Sequence, residues 1–231
     1  MDATSSFDTV GINVGNFGSG IVNVSNGATL NSTGYGFIGG NASGKGIVNI
    51  STDSLWNLKT SSTNAQLLQV GVLGTGELNI TTGGIVKARD TQIALNDKSK
   101  GDVRVDGQNS LLETFNMYVG TSGTGTLTLT NSGTLNVEGG EVYLGVFEPA
   151  VGTLNIGAAH GEAAADAGFI TNATKVEFGS GEGVFVINHT NNSDAGYQVD
   201  MLITGDDKDG KVIHDAGHTV FNAGNTYSGK T

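Results

Sequence analysis

Apolar and polar residues alternate with period two over short stretches of this chain, and the stretches recur in one frame. After Gly20 the sequence reads IVNVSNGATL, after Gly46 IVNISTDSL, after Gly76 ELNITTGGIV and after Gly101 DVRVDGQNSLL. TLTLTNSGTL follows Gly125 and TLNIGAAHG follows Gly152, with looser copies after Gly183 (VFVINHTNN) and Gly210 (KVIHDAGHTV). These glycines lie 24 to 31 residues apart, within the spacing of about 20–50 that marks solenoid repeats. A second landmark precedes each of the first six, an apolar residue and a glycine: Val14-Gly15, Ile38-Gly39, Val70-Gly71, Val119-Gly120 and Leu144-Gly145, with Ile93-Ala94 in the fourth copy.

The alternation assigns side chains to two faces. Two and four residues after each glycine stand Val22 and Val24, Val48 and Ile50, Leu78 and Ile80, Val103 and Val105, Leu127 and Leu129, Leu154 and Ile156, Phe185 and Ile187. Between them Asn23, Asn49, Asn79, Arg104, Thr128 and Asn155 face outward, as in half-buried strands. One unit cannot bury its apolar row alone, whereas stacking unit on unit builds a continuous column and pairs the backbone. The pattern predicts an all-β, right-handed parallel β-helix of roughly eight or nine coils, about 40 Å long at ~4.8 Å per coil. A two-layer β-sandwich also uses short alternating strands. It leaves unexplained why Asn23, Asn49, Asn79 and Asn155 share one outward position, where stacked amides form a structural ladder. The whole chain, 1–231, reads as one β-helical unit, regular over about 10–160 and looser with inserts over 161–231.

Composition narrows this picture. Glycine supplies 38 of 231 residues and proline one, which excludes collagen and fits frequent turns between strands. The net charge of −11 and scattered Lys and Arg offer no basic face for nucleic acid. Cysteine is absent, so disulfides are excluded. No apolar run reaches the ~20 residues of a spanning helix, and the start MDATSSFDTV shows no signal peptide.

The repeat V-G-x-x-G-x-G-x-L-x-I-x-x-G-x-x-L, carried by VGNFGSGIVNVSNGATL, VGVLGTGELNITTGGIV and VGTSGTGTLTLTNSGTL, resembles the passenger-domain repeats of autotransporter adhesins of the AIDA and antigen-43-like group. The closing AGNTYSGKT resembles the autotransporter-associated strand repeat. The resemblance implies a β-helical stalk exported through its own C-terminal outer-membrane barrel, at the bacterial cell surface or secreted. It implies adhesion to a host cell-surface or matrix protein or glycan, or self-association in aggregates and biofilm. Contact with the outer membrane would run only through that barrel, which the chain does not contain. Two further readings of the scaffold are a secreted ligand of one host receptor and, more remotely, a polysaccharide-active enzyme.

Motifs that could carry chemistry are weak, and we expect no catalytic, cofactor or metal residue. GGNASGKG at 39–46 approaches a phosphate-binding loop, but Gly46 stands where the hydroxyl belongs and a strand follows where a helix is required. GDDKDG at 205–210 matches a calcium loop only at Asp207, Asp209 and Gly210, with Ala216 at the closing position. His214 and His218 are four apart in a strand-and-turn context, and His214 falls on the inward frame. Among the carboxylates, Glu138 and Glu141 come nearest to a pair, while Asp53, Glu77, Asp90, Asp102, Asp106 and Glu113 share no single place in the repeat. Two inserts break the period: WNLKTSSTNAQLLQ, with the only tryptophan, Trp56, and the 156–176 segment with its run of small residues. Insertions in solenoids project from one face and often bind; for Trp56 the plainer reading is a place in the core.

Overall fold

The computed structural model describes residues 5–59, 66–205 and 210–231. Each alternating stretch forms a strand, and the strands stack in parallel, coil over coil. Among the described residues an eight-stranded sheet runs in the order Ser19–Val24, Lys45–Ser51, Thr75–Thr81, Lys100–Asp106, Thr124–Thr130, Val151–Gly157, Glu182–Asn188 and Lys211–Ala216. The repeat glycines set its register: Gly20 pairs with Gly46, then Gly76, Gly101, Gly125, Gly152 and Gly183 in turn. A thirteen-stranded sheet supplies the other two sides and is joined through Thr29–Ile38. One limb continues through Leu55–Asn57, Ile85–Lys87, Leu111–Glu113, Thr134–Asn136 and Phe169–Thr171. The other continues through Leu67–Val70, Asp90–Ile93, Asn116–Val119, Glu141–Leu144, Lys175–Phe178 and Leu202–Thr204. Ser6–Val14 pairs with Thr29–Ile38 from below, and Tyr197–Val199 with Thr219–Phe221 near the other end. The chain is a right-handed parallel β-helix of about eight turns; a sandwich of antiparallel hairpins is excluded by the parallel pairing of these strands.

The core is the column that the alternation predicts. Val48, Ile50, Leu78, Ile80, Val103, Val105, Leu127, Leu129, Leu154, Ile156, Phe185 and Ile187 are all buried against their counterparts above and below. Each such side chain contributes about 1.5–3 kcal/mol of transfer free energy, set against the entropy of ordering its strand. Trp56 joins the column between Leu30 and Val86 and is fully buried, with its indole Nε1 donating to Ser32 Oγ at 3.2 Å. Space for the ring comes from Gly36, where any Cβ would collide with it.

The paired landmarks form one corner per coil. Gly71 adopts φ +76° and its position leaves no room for a Cβ against the Lys100 carbonyl, so it meets both reasons for glycine at once. Ala94 occupies the same corner at φ +55°, an L-residue in left-handed geometry. The inward frame ends at Val212: His214 pairs with Ile187 yet is exposed, beside a register shift at Asn188.

Candidate functional site

Among the described residues the fold assembles a set of outward side-chain rows. On the eight-stranded sheet, strand pairing places Asn23, Asn49, Asn79, Arg104, Thr128, Asn155, Val186 and Ile213 one above another. The predicted amide ladder exists over the first three. Asn79 Nδ2 donates to Asn49 Oδ1 at 2.9 Å, and Asn49 Nδ2 to Asn23 Oδ1 at 2.7 Å. Arg104 then breaks it and turns to Asp106 at 3.0 Å.

Asn155 corrects the expectation in part. Its amide donates to Thr128 Oγ1 at 3.1 Å, but the residue is buried and its Oδ1 has no hydrogen-bond partner. The cause is the 156–176 insert, which folds over the outside of the sheet instead of projecting from it. Asn188 Nδ2 donates to the carbonyls of Ala159 and Glu162 at 2.9 and 3.0 Å, and His160 Nδ1 lies 2.9 Å from Asp215. Farther along, the Asp166 carbonyl accepts from Asn131 N at 2.8 Å and Thr130 Oγ1 at 3.0 Å. This strap was not legible in the period, because its anchors are backbone carbonyls and residues far apart in sequence.

Further ladders follow the same coil-to-coil logic at places the frame did not single out. Asn41 donates to Asn16 at 2.6 Å, Gln69 to Gln92 at 2.6 Å, Asn116 to Asp90 at 3.1 Å and Asn172 to Asn136 at 2.8 Å. Tyr118 stacks on Tyr143 with centroids 5.0 Å apart. Lys59 spans three coils, bonding Glu113 at 3.2 Å and also Glu138. Glu141 instead accepts from Tyr143 and lies 3.4 Å from Lys175. Glu138 and Glu141 are thus held in separate ion pairs and do not face each other as an acid and a base. The hydrogen bond to Glu141, with burial second, holds the Tyr143 hydroxyl above its ordinary range.

Asp102 stands exposed on the outward face, paired across the strands with Glu77. Partial desolvation of its carboxyl, then the neighbouring Glu77, raises its pKa above 3.8, while Arg104 opposes the shift. In the closing coils His189 is fully buried: Asn191 N donates to its Nδ1 at 3.2 Å, which leaves Nε2–H to donate to Thr219 Oγ1 at 2.9 Å. Burial, then His214, lowers the pKa of His189 below 6.5.

The remaining motifs resolve into architecture. Residues 39–46 form a corner: Gly39 has φ +72°, Gly44 N donates to Asn41 O at 2.7 Å, and strand Lys45–Ser51 follows. His218 Nδ1 lies 2.9 Å from the Ser193 carbonyl, whereas His214 is exposed. Asp207 and Asp209, like residues 60–65 of the first insert, lie outside the described residues. No group of three or more His, Asp or Glu among the described residues is placed to hold a metal ion. Nor is any helix there long and apolar enough to cross a membrane.

No family model matches the chain, and no solved structure matches it. Among curated proteins it is similar to the uncharacterized lipoprotein YdeK of Escherichia coli (strain K12), with 99% identity over 230 residues. That match covers 100% of this chain and 17% of the relative, so the chain spans about a sixth of the relative's length. The expectation of an autotransporter adhesin is corrected by this finding. A protein that matches along the whole chain is a lipoprotein by name, and nothing supports an adhesive or self-associating role or the secreted-ligand alternative. The physical reason for the error is plain. The V-G-x-x-G-x-G repeat encodes a corner and a buried column, which any stacked coil of this shape needs, whatever its outer surface does.

Proposed function

We propose that this chain is a rigid, non-catalytic spacer: a stretch of β-solenoid rod that holds other parts of a cell-envelope protein at a fixed distance. The observation that carries the reading is the register of the eight-stranded sheet, which holds from Gly20 to Gly183 while outward residues bond the coil next to them. Backbone pairing and side-chain ladders both run along the axis, so bending at any coil breaks several bonds together. The lipoprotein name of the relative supports a membrane-associated place through a lipid anchor. At ~4.8 Å per coil, the seven steps between eight strands give a rod segment of about 35 Å.

Coil deletion tests the reading. Removing residues 76–124 takes out two coils in frame, from one repeat glycine to the equivalent position before Gly125. Electron microscopy of the full-length relative should show the rod shortened by about 10 Å and still straight. A deletion that collapses or kinks the rod, or leaves its length unchanged, would overturn the spacer.

A further inference from the structure

At the end of the solenoid formed by the first coil the core is closed at Val14 and Val24 but left partly open at Phe7, Ile12 and Val22. Phe7 pairs with Leu30 and so continues the inward column of Leu30, Trp56, Val86, Leu112 and Leu135. Those five are 0–1% exposed, whereas Phe7 is 53% exposed. Ile12 and Val22 are inward members of the other two sides and are only partly covered. Strands Ser6–Val14 and Ser19–Val24 each have a neighbour on one side only among the described residues. The side-chain rows are open in the same direction. Asn79 donates to Asn49 and Asn49 to Asn23, always toward the earlier coil, and among the described residues Asn23 Nδ2 donates to nothing. Asn41 donates to Asn16 in the same sense.

The opposite end is not a complement to this surface. Its last coil is covered by the closing segment: Val212 N donates to Lys230 O at 2.9 Å, Lys230 N to Gly210 O at 3.1 Å, and Tyr227 packs edge-on against Phe178. The inward column there ends in exposed His214. A second copy stacked head to tail would press Phe7, Ile12 and Val22 against that covered, polar end. Stacked head to head, it would set the strands antiparallel and break the ladder.

We propose that the open end seats another parallel β-coil, supplied by the longer polypeptide and added in register beneath Ser6–Val14 and Ser19–Val24. The incoming coil presents apolar side chains under Phe7, Ile12 and Val22 and a hydrogen-bond acceptor, from Asn, Asp or Thr, under Asn23. The inference rests on the spacer reading, and the length available fits it, since this chain matches 17% of the relative. Exposed strand edges are otherwise sites of uncontrolled pairing, which a covering coil removes.

Amide hydrogen exchange on the 231-residue chain and on the full-length relative tests this. Peptides covering 6–14 and 19–24 should exchange at least about 100-fold more slowly in the full-length protein, with peptides covering 124–130 equally slow in both. Equal exchange of the edge peptides in the two proteins overturns the proposal. Edge protection in the chain alone that rises with concentration assigns the end to a second copy and also overturns it. In the full-length protein Phe7→Asp should speed exchange of 19–24 by about tenfold or more, with little change in the chain alone; no acceleration counts against the coil. The unsubstituted comparison stands even if that variant folds poorly. Rod images of the same samples separate the two ideas: a straight rod with an unprotected edge rejects the coil alone, and a bent rod with a protected edge rejects the spacer alone.

Discussion

The coils between Lys45 and Gly157 and those beyond Gly157 share one frame but are held differently. In the first region every strand of the eight-stranded sheet sits between two neighbours, its inward residues are buried, and Asn49 and Asn79 bond along the outward row up to Arg104. In the second, the strap covers the outside of the sheet, a histidine lies in the interior, and the column ends at Val212. The difference teaches that stacking alone stabilises a coil while its sequence repeats, and that long-range polar contacts take over where the repeat decays.

The largest expected effect would separate the regions by packing. Leu127→Ala in the first region should cost about 2–5 kcal/mol in chemical denaturation, because its neighbours above and below cannot close the cavity. Ile170→Ala, at a partly exposed member of the column near the strap, should cost less than half of that, about 1 kcal/mol. Equal losses would erase the distinction.

The corners give the next contrast. Gly71→Ala places a Cβ against a backbone carbonyl in left-handed geometry and should destabilise by about 2 kcal/mol or more. Ala94→Gly relieves the strained corner of the fourth copy and should stabilise by about 0.5–1 kcal/mol in the same assay. A loss on Ala94→Gly would mean that the buried methyl outweighs the backbone strain.

Acid should act with opposite signs on the two regions. His189 has a folded pKa lowered below 6.5, so the unfolded chain binds its proton first; the stability it contributes is present above pH 6.5 and is lost as pH falls from there toward the folded value. Asp102 has a folded pKa raised above 3.8, so it takes up its proton earlier in the folded state, and falling pH relieves its repulsion with Glu77 by a small, solvent-screened amount. Amide exchange between pH 7 and 5 should therefore show residues 182–204 and 211–221 loosening before residues 75–130. His189→Phe should flatten that difference, and an unchanged profile in this variant would refute the assignment.

The smallest effects concern the outward row. Asn49→Ala should cost about 0.5–1 kcal/mol, since it removes two ladder bonds at a largely solvated position. Asn155→Val should be neutral or stabilise by up to about 1 kcal/mol, because it removes a buried acceptor that has no partner and extends the apolar row to Val186. A clear loss on Asn155→Val would show that its bond to Thr128 matters more than the orphaned oxygen.

How much was legible in the sequence depends on how far apart the interacting residues lie in the repeat. Val48, Leu78, Val103 and Leu127 could be placed inward from spacing alone, and so could Trp56 beside Leu55, because burial in a stacked coil depends on parity along the strand. Asn23, Asn49 and Asn79 form the predicted ladder for the same reason. Asn155 holds the same position in the frame, yet the strap buries it, and nothing local to Asn155 encodes a strap latched at Asp215. Glu138 and Glu141 looked like neighbours in sequence but reach different lysines, because they lie on different sides of a corner. The adhesive role read from the repeat failed on a related point, since a motif made of corner and core residues carries no information about a surface.

By itself the sequence determined the architecture: period-two alternation, a repeat of 24 to 31 residues and glycine at fixed corners admit little besides parallel coils stacked on a common core. Only the tertiary structure decided which outward residues touch, where the strap lies, that His189 is enclosed, and that one end of the rod leaves part of its core uncovered. The physical reason is range. Alternation and corner geometry act within one coil and are written in adjacent residues, whereas ladders, straps and ends depend on what the neighbouring coil brings to the same place in space.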